Sequence, residues 1–189
     1  MVFGGEYTTY RDNRDLGDSY RSGAPSMKHE AFDEQVMNLQ ELVPEAIAWA
    51  KVQAQHVAQI GTPLAAPGLA LAEQVGVKHP ELVRLLYVSQ LPIPVEQLQL
   101  RQAVLDTGML GPDMAGLTLG HSIFIVPGHD DARLISHELR HVGQYEALGG
   151  IDGFIPIYLA QIDSVGYDLA PLEQDARAHE IKGPRHEWT

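Results

Sequence analysis

The sequence predicts an α+β domain in which helices dominate, and three observations carry that expectation. Most apolar residues recur at steps of three and four, the period of a helix face. One segment, 117–126, instead concentrates Thr, Ile, Phe and Val and ends at Pro127-Gly128, as a strand does. The 189 residues are 44% apolar and 20% charged, an ordinary globular composition. A chain of this length buries about 70% of the surface its unfolded form exposes, so it needs no disulfide or metal staple to fold.

Residues 1–25 stand apart. After Met1, only Val2, Phe3 and Leu16 are large aliphatic or Phe positions. Such a stretch cannot build a core, so a flexible N-terminal arm is expected ahead of one domain, 26–189. Between Met27 and Ile60, Phe32, Val36, Leu39 and Val43 mark a helical pattern. Pro44 divides it, because proline inside a helix removes a hydrogen bond and clashes with the preceding turn. Gly61 ends the second part. A short helix follows near Gly68–Val75, and Leu82–Val88 fits a strand or a helix end. Past Pro92 and Pro94, Val95–Leu105 reads as a helix. The strand Leu117–Val126 comes next, then three helices: about Asp131–Leu148, closed by Gly149-Gly150; about Gly153–Ser164; and about Pro171–Ile181. Pro156 would fall in the first turn of the middle one, where backbone N–H groups lack partners. Pro171 takes a first helical position.

Composition excludes several functions. Thirteen basic against 25 acidic residues give a formal charge of −12. Such a surface repels phosphate backbones and acidic lipids, so neither nucleic acid nor membrane is an expected partner. The absence of cysteine removes thiol catalysis, Cys-ligated zinc and Fe–S clusters. No 18-residue apolar run is present, and the first residues lack a basic n-region and an apolar h-region, so a soluble cytoplasmic protein is expected. Gly120-His121-Ser122-Ile123-Phe124 lacks the second glycine of a nucleophile elbow. Walker loops and dinucleotide glycine patterns are absent too.

His137-Glu138-Leu139-Arg140-His141 is an HExxH sequence, expected by chance in roughly 3 of 100 shuffled chains of this composition. It falls mid-helix. At about 100° per residue the two histidines differ by about 40° around the axis and about 6 Å along it, so both rings can reach one ion. Glu138 is turned away from both ring directions. It flanks the ion and can take a proton from an activated water. Ile135, Leu139 and Val142 form a separate apolar stripe that can anchor the helix.

Catalytic zinc usually takes three protein ligands. Ala147 and Gln144 stand where a metzincin motif carries its third histidine and its glycine, which excludes that class. Downstream candidates are Asp163, Asp168, Glu173, His179 and Glu180. Glu173 is favoured. It sits in the first turn of the last helix, 32 residues after His141, and Ala176 one turn on permits close helix approach. Asp168 reads equally well as a turn residue, and His179 and Glu180 as members of a solvated face. For a tetrahedral oxyanion, Tyr145, Tyr158, Tyr167, Arg140 and His179 are available donors, with Tyr167 first.

HELRH, a separated glutamate on a following helix, and a strand just before the motif resemble the gluzincin branch of zincin metallopeptidases. HELRHVGQYEALGG followed by GYDLAPLEQDA is similar to small bacterial zincin-like proteins of largely unassigned function, over about Leu117 to Ala178. The resemblance implies a zincin-like domain with a small sheet before the motif helix. It implies zinc on His137, His141 and Glu173, and Glu138 as general base for peptide-bond hydrolysis by a zinc-activated water. The substrate would be a peptide or protein, paired along the strand that precedes the motif. Arg177 stands where many gluzincins place an aspartate that orients the first histidine; Asp175 is a possible substitute. The alternative expectation is a non-enzymatic zinc-binding interaction module on the same scaffold.

Overall fold

The computed structural model describes residues 38–111, 114–183 and 186–189. The expected arm, 1–25, and the first part of the Met27–Ile60 pattern, to residue 37, lie outside the described residues. The fold is α+β, with six α-helices and one four-stranded sheet among the described residues. A single turn of tight helix, Leu39–Leu42, leads into α1, Val43–Ile60. Pro44 lies in the first turn of α1, where a missing N–H costs nothing. The remaining helices are α2 (Ala66–Gln74), α3 (Leu98–Asp106), α4 (Ala132–Ala147), α5 (Ile151–Val165) and α6 (Pro171–Ala178). None of the described helices is long and apolar enough to cross a membrane.

The sheet runs β1 (Thr62–Pro63), β2 (Arg84–Tyr87), β4 (Ser122–Ile125), β3 (Gly116–Leu119), with β2 and β4 parallel and the outer pairs antiparallel. Leu82–Val88 therefore supplies a strand. The expected single strand Leu117–Val126 is instead a hairpin: Leu119 pairs with Ser122, and Gly120-His121 forms the turn. Gly120 has φ +66°, a left-handed conformation that glycine adopts without steric penalty. A continuous β-rich composition hid that turn. As a result β3, not β4, is the edge beside the motif helix.

Alternation along the strands assigns the two faces. Ile123 and Ile125, with Leu85, pack against Ile135, Leu139 and Val142 of α4, Leu71 of α2 and Val75 just after it. Phe124 and Leu119 face α1, α3 and α5, through Val57, Leu100 and Phe154. The stripe Ile135, Leu139, Val142 is fully buried, as its spacing requires. Asp131 caps α4, its side chain accepting the Leu134 N–H at 2.9 Å. Helix α5 starts two residues earlier than expected, so Pro156 lies inside it. Helix α6 ends three residues earlier, which frees Glu180 from the helix.

Glu146 at the end of α4 ties this helix to the chain that leaves α2. Its carboxylate accepts the backbone N–H of Lys78 (2.6 Å) and of His79 (3.0 Å), and pairs with His121 Nε2 of the hairpin turn (2.9 Å). Burial raises its pKa, but those three donors overcome burial and hold the carboxyl below its ordinary value. A depressed folded pKa stabilises the fold above the unfolded value of about 4.3 and loses that contribution as pH falls through the folded value. Glu146→Gln is expected to cost about 1–3 kcal/mol at pH 7. The gap between wild type and variant should close in denaturant titrations repeated down to pH 3; a gap independent of pH contradicts the charged clamp.

Candidate metal centre

Helix α4 presents His137 and His141 one turn apart on the side that faces α5 and α6. Their Nε2 atoms are 3.2 Å apart. Glu173, in the first turn of α6, brings Oε2 to 3.5 Å from His137 Nε2 and Oε1 to 3.3 Å from His141 Nε2. Two donors on a tetrahedral ion at bond lengths of about 2.0–2.1 Å stand about 3.3–3.4 Å apart. The three observed separations are close to that edge length, the two from Glu173 being to its two different oxygens. His137, His141 and Glu173 form one buried group able to hold a metal among the described residues. Asp163 and Asp168 are exposed and outside it.

A bound cation would suit the electrostatics of the group. Glu173 is 1% exposed. Burial disfavours its charge, yet His137, His141 and Tyr158 hold it well below the usual carboxylate range. Its Oε2 is buried without a hydrogen-bond partner. Arg177 and His137 Nε2 each stand 3.5 Å from this oxygen, so it is ion-paired but not hydrogen-bonded, and a metal would add the direct contact it lacks. His137 shows the reciprocal effect: burial lowers its pKa, but the Glu173 contact and the charges of Glu138, Glu173 and Glu180 raise it above its ordinary value. Two imidazole nitrogens and one carboxylate oxygen are the donor set of a zinc site, and other divalent ions share it.

The residues around the group aim it. Gln144 Oε1 lies 2.8 Å from His141 Nδ1, and Gln144 Nε2 donates to Asp175 Oδ2 at 2.7 Å and to the Leu172 carbonyl at 2.9 Å. Because the amide nitrogen is committed as a donor, its oxygen accepts from His141 Nδ1–H. That tautomer leaves His141 Nε2 as a lone pair toward the site. Arg140 grips Asp175 through Nε (2.7 Å) and Nη2 (3.2 Å). Asp175 thus supports a histidine, but His141 rather than the first one, and through Gln144. The carboxylate near His137 Nδ1 is Glu180 Oε1, at 3.3 Å. Glu180 was expected on a solvated face; the early end of α6 turns it inward. His179 is not in the group, and its Nδ1 lies 2.7 Å from the Asp175 carbonyl. Arg177 lies 3.5 Å from Glu173 Oε2.

Glu138 is 4% exposed and borders the same cavity as the three donors. Thr118 of β3 donates its hydroxyl toward Glu138 Oε2 at 2.7 Å, with the Glu138 carbonyl at 3.0 Å. Gly116, two residues back on the same face, lies under the carboxylate, where a Cβ would come within 2.3 Å of Oε1. Any larger residue at 116 displaces the carboxylate. Tyr158 of α5 donates to Glu173 Oε1 at 2.6 Å. Tyr167 also borders the cavity, with its hydroxyl 3.9 Å from Met114 Sδ. Thr118, Gly116 and Tyr158 carry no motif; only strand alternation set 116 and 118 on the face of Glu138, and that became visible once the hairpin was placed.

Compared with known proteins, the chain matches no family model, no curated protein and no solved structure.

Proposed function

We propose that this chain is a zinc-dependent metallopeptidase of gluzincin type, with His137, His141 and Glu173 as the metal ligands and Glu138 as general base. The observation that supports it most is the buried His–His–Glu triad, with one Glu173 oxygen that accepts no hydrogen bond, beside a separately held carboxylate. Zinc, when bound there, supplies Lewis-acid polarisation of a carbonyl and lowers the pKa of water toward neutrality.

The other steps belong to the protein. Glu138 takes the proton of the attacking water and returns it to the leaving nitrogen. The Thr118 hydroxyl and the bare Gly116 backbone fix that carboxylate and leave one oxygen for the proton. Gln144 holds His141 in the Nδ1–H tautomer, and Tyr158 fixes the rotamer of Glu173. Tyr167 is the oxyanion donor in this reading. Burial, with the nearby Glu173 and Glu138 charges, pushes its phenol well above its ordinary value, so it stays protonated at neutral pH. The edge strand β3 offers backbone groups along which an extended peptide can pair.

The test is chelator-sensitive cleavage. Purified protein loaded with one zinc per chain should hydrolyse members of a peptide library, and a chelator should stop it. A zinc-loaded protein inert across a broad library contradicts the proposal. The relay also has its own consequence. Gln144→Ala removes the acceptor of His141 Nδ1 and should weaken zinc affinity by about 10–100-fold, read in competition with a chromogenic chelator. Unchanged affinity excludes a positioning role for Gln144.

A further inference from the structure

The cavity that borders the triad, about 100 Å³ in all, is walled elsewhere by apolar side chains that make it a chamber. Trp49 of α1, Leu100 and Val104 of α3, Leu119 of β3 and Phe154 and Leu159 of α5 line it. Five of these six are buried, so the chamber is part of the core and not a surface crease. The charged and imidazole groups on its boundary, His137, Glu138, His141 and Glu173, are those of the reaction site, and the lining also includes Thr118 and three tyrosines, which carry hydroxyls. The carboxylates Glu138 and Glu173 and the overall charge of −12 oppose entry of an acidic group. A lysine or arginine head would meet no acceptor among the six chamber side chains named and would be desolvated there.

Resting on the metallopeptidase reading, we propose that this chamber selects substrate: it receives a large uncharged apolar side chain, aromatic or Leu-like, of the residue adjoining the scissile bond. Helices α1 and α3, which lie upstream of the motif and carry no chemistry of their own, then serve as its walls. Stacking of Tyr145 on Phe154, with ring centroids 3.8 Å apart, stiffens the side nearest the triad. Met109 and Met114 at its border can adjust to side chains of different shape.

A binding measurement tests this without turnover. Four hydroxamates of identical backbone, bearing benzyl, isobutyl, methyl or carboxymethyl side chains, are titrated calorimetrically into the zinc-loaded full chain. Benzyl and isobutyl probes are expected to bind roughly 10–100-fold tighter than methyl, the effect of burying one large apolar side chain. The carboxymethyl probe should be the weakest. Equal affinity for methyl and benzyl, or tightest binding of carboxymethyl, overturns the chamber while leaving the metal site standing. A chain that holds no zinc and binds no probe overturns both. Val104→Phe, narrowing the chamber, should weaken the benzyl probe at least tenfold and leave the methyl probe unchanged. If that variant does not fold, the probe series on wild type still decides.

Discussion

Glu138→Gln should retain one zinc per chain and lose about 10²–10⁴ of the wild-type hydrolysis rate, the contribution of general acid–base catalysis. The substitution preserves shape, which matters because the side chain is wedged against Gly116. The amide oxygen can take the place of Oε2 and accept the Thr118 hydroxyl, which is 2.7 Å away in the wild type. The variant can therefore fold and load metal normally. It cannot accept a proton from water, since an amide has no basic oxygen at neutral pH. Equal cleavage by both proteins refutes Glu138 as the base. If both are inert across a broad library yet bind a common partner, the interaction-module alternative is supported instead.

The histidine pair was legible because it is local. A helix repeats its face every three to four residues, so HExxH on a helix places two rings together whatever the rest of the chain does. Glu173 was reachable by a weaker version of the same logic: a carboxylate in the first turn of a helix with a small residue, Ala176, one turn on. Its buried position beside the two histidines requires α5 to return the chain, which the Gly149-Gly150 stop and the helical pattern after it implied. The apolar stripe of α4 followed from the same periodicity.

The remainder depends on contacts between residues distant in sequence. Thr118 meets Glu138 across 20 residues, and Gln144 meets Asp175 across 31. Pattern alone has no means to pair them. The hairpin at Gly120-His121 was hidden because Thr, Leu, Ser, Ile and Phe on both sides share strand propensity, and Gly-His is a weaker turn signal than Asn-Gly. Glu180 was misplaced because extending α6 to Ile181 would keep it on a helix face; the chain leaves the helix at His179 and the carboxylate reaches His137. The chamber could not be read at all, since its walls are ordinary apolar residues of four elements.

His141→Ala should abolish stoichiometric zinc binding, and Glu173→Ala should weaken it strongly. Each removes one of three donors from a buried group in which no other described acidic or histidine side chain completes a set of three. Elemental analysis after dialysis against buffer reads the loss directly. Thermal melting gives a second readout: a ligand that binds only the native state at 100 times its Kd stabilises it by about 2.7 kcal/mol. Zinc should therefore raise the melting temperature of the wild type and leave that of His141→Ala unmoved. Glu173→Ala also strips the acceptor from Tyr158, whose hydroxyl lies 2.6 Å from Oε1, so its metal-free form should be less stable as well. Glu173→Gln keeps an acceptor for Tyr158 and separates the two effects. Asp168→Ala is the control, because Asp168 is exposed and lies outside the triad. Full zinc retained by His141→Ala refutes the site. Loss of zinc in Asp168→Ala with retention in Glu173→Ala shows that the third ligand is wrongly assigned.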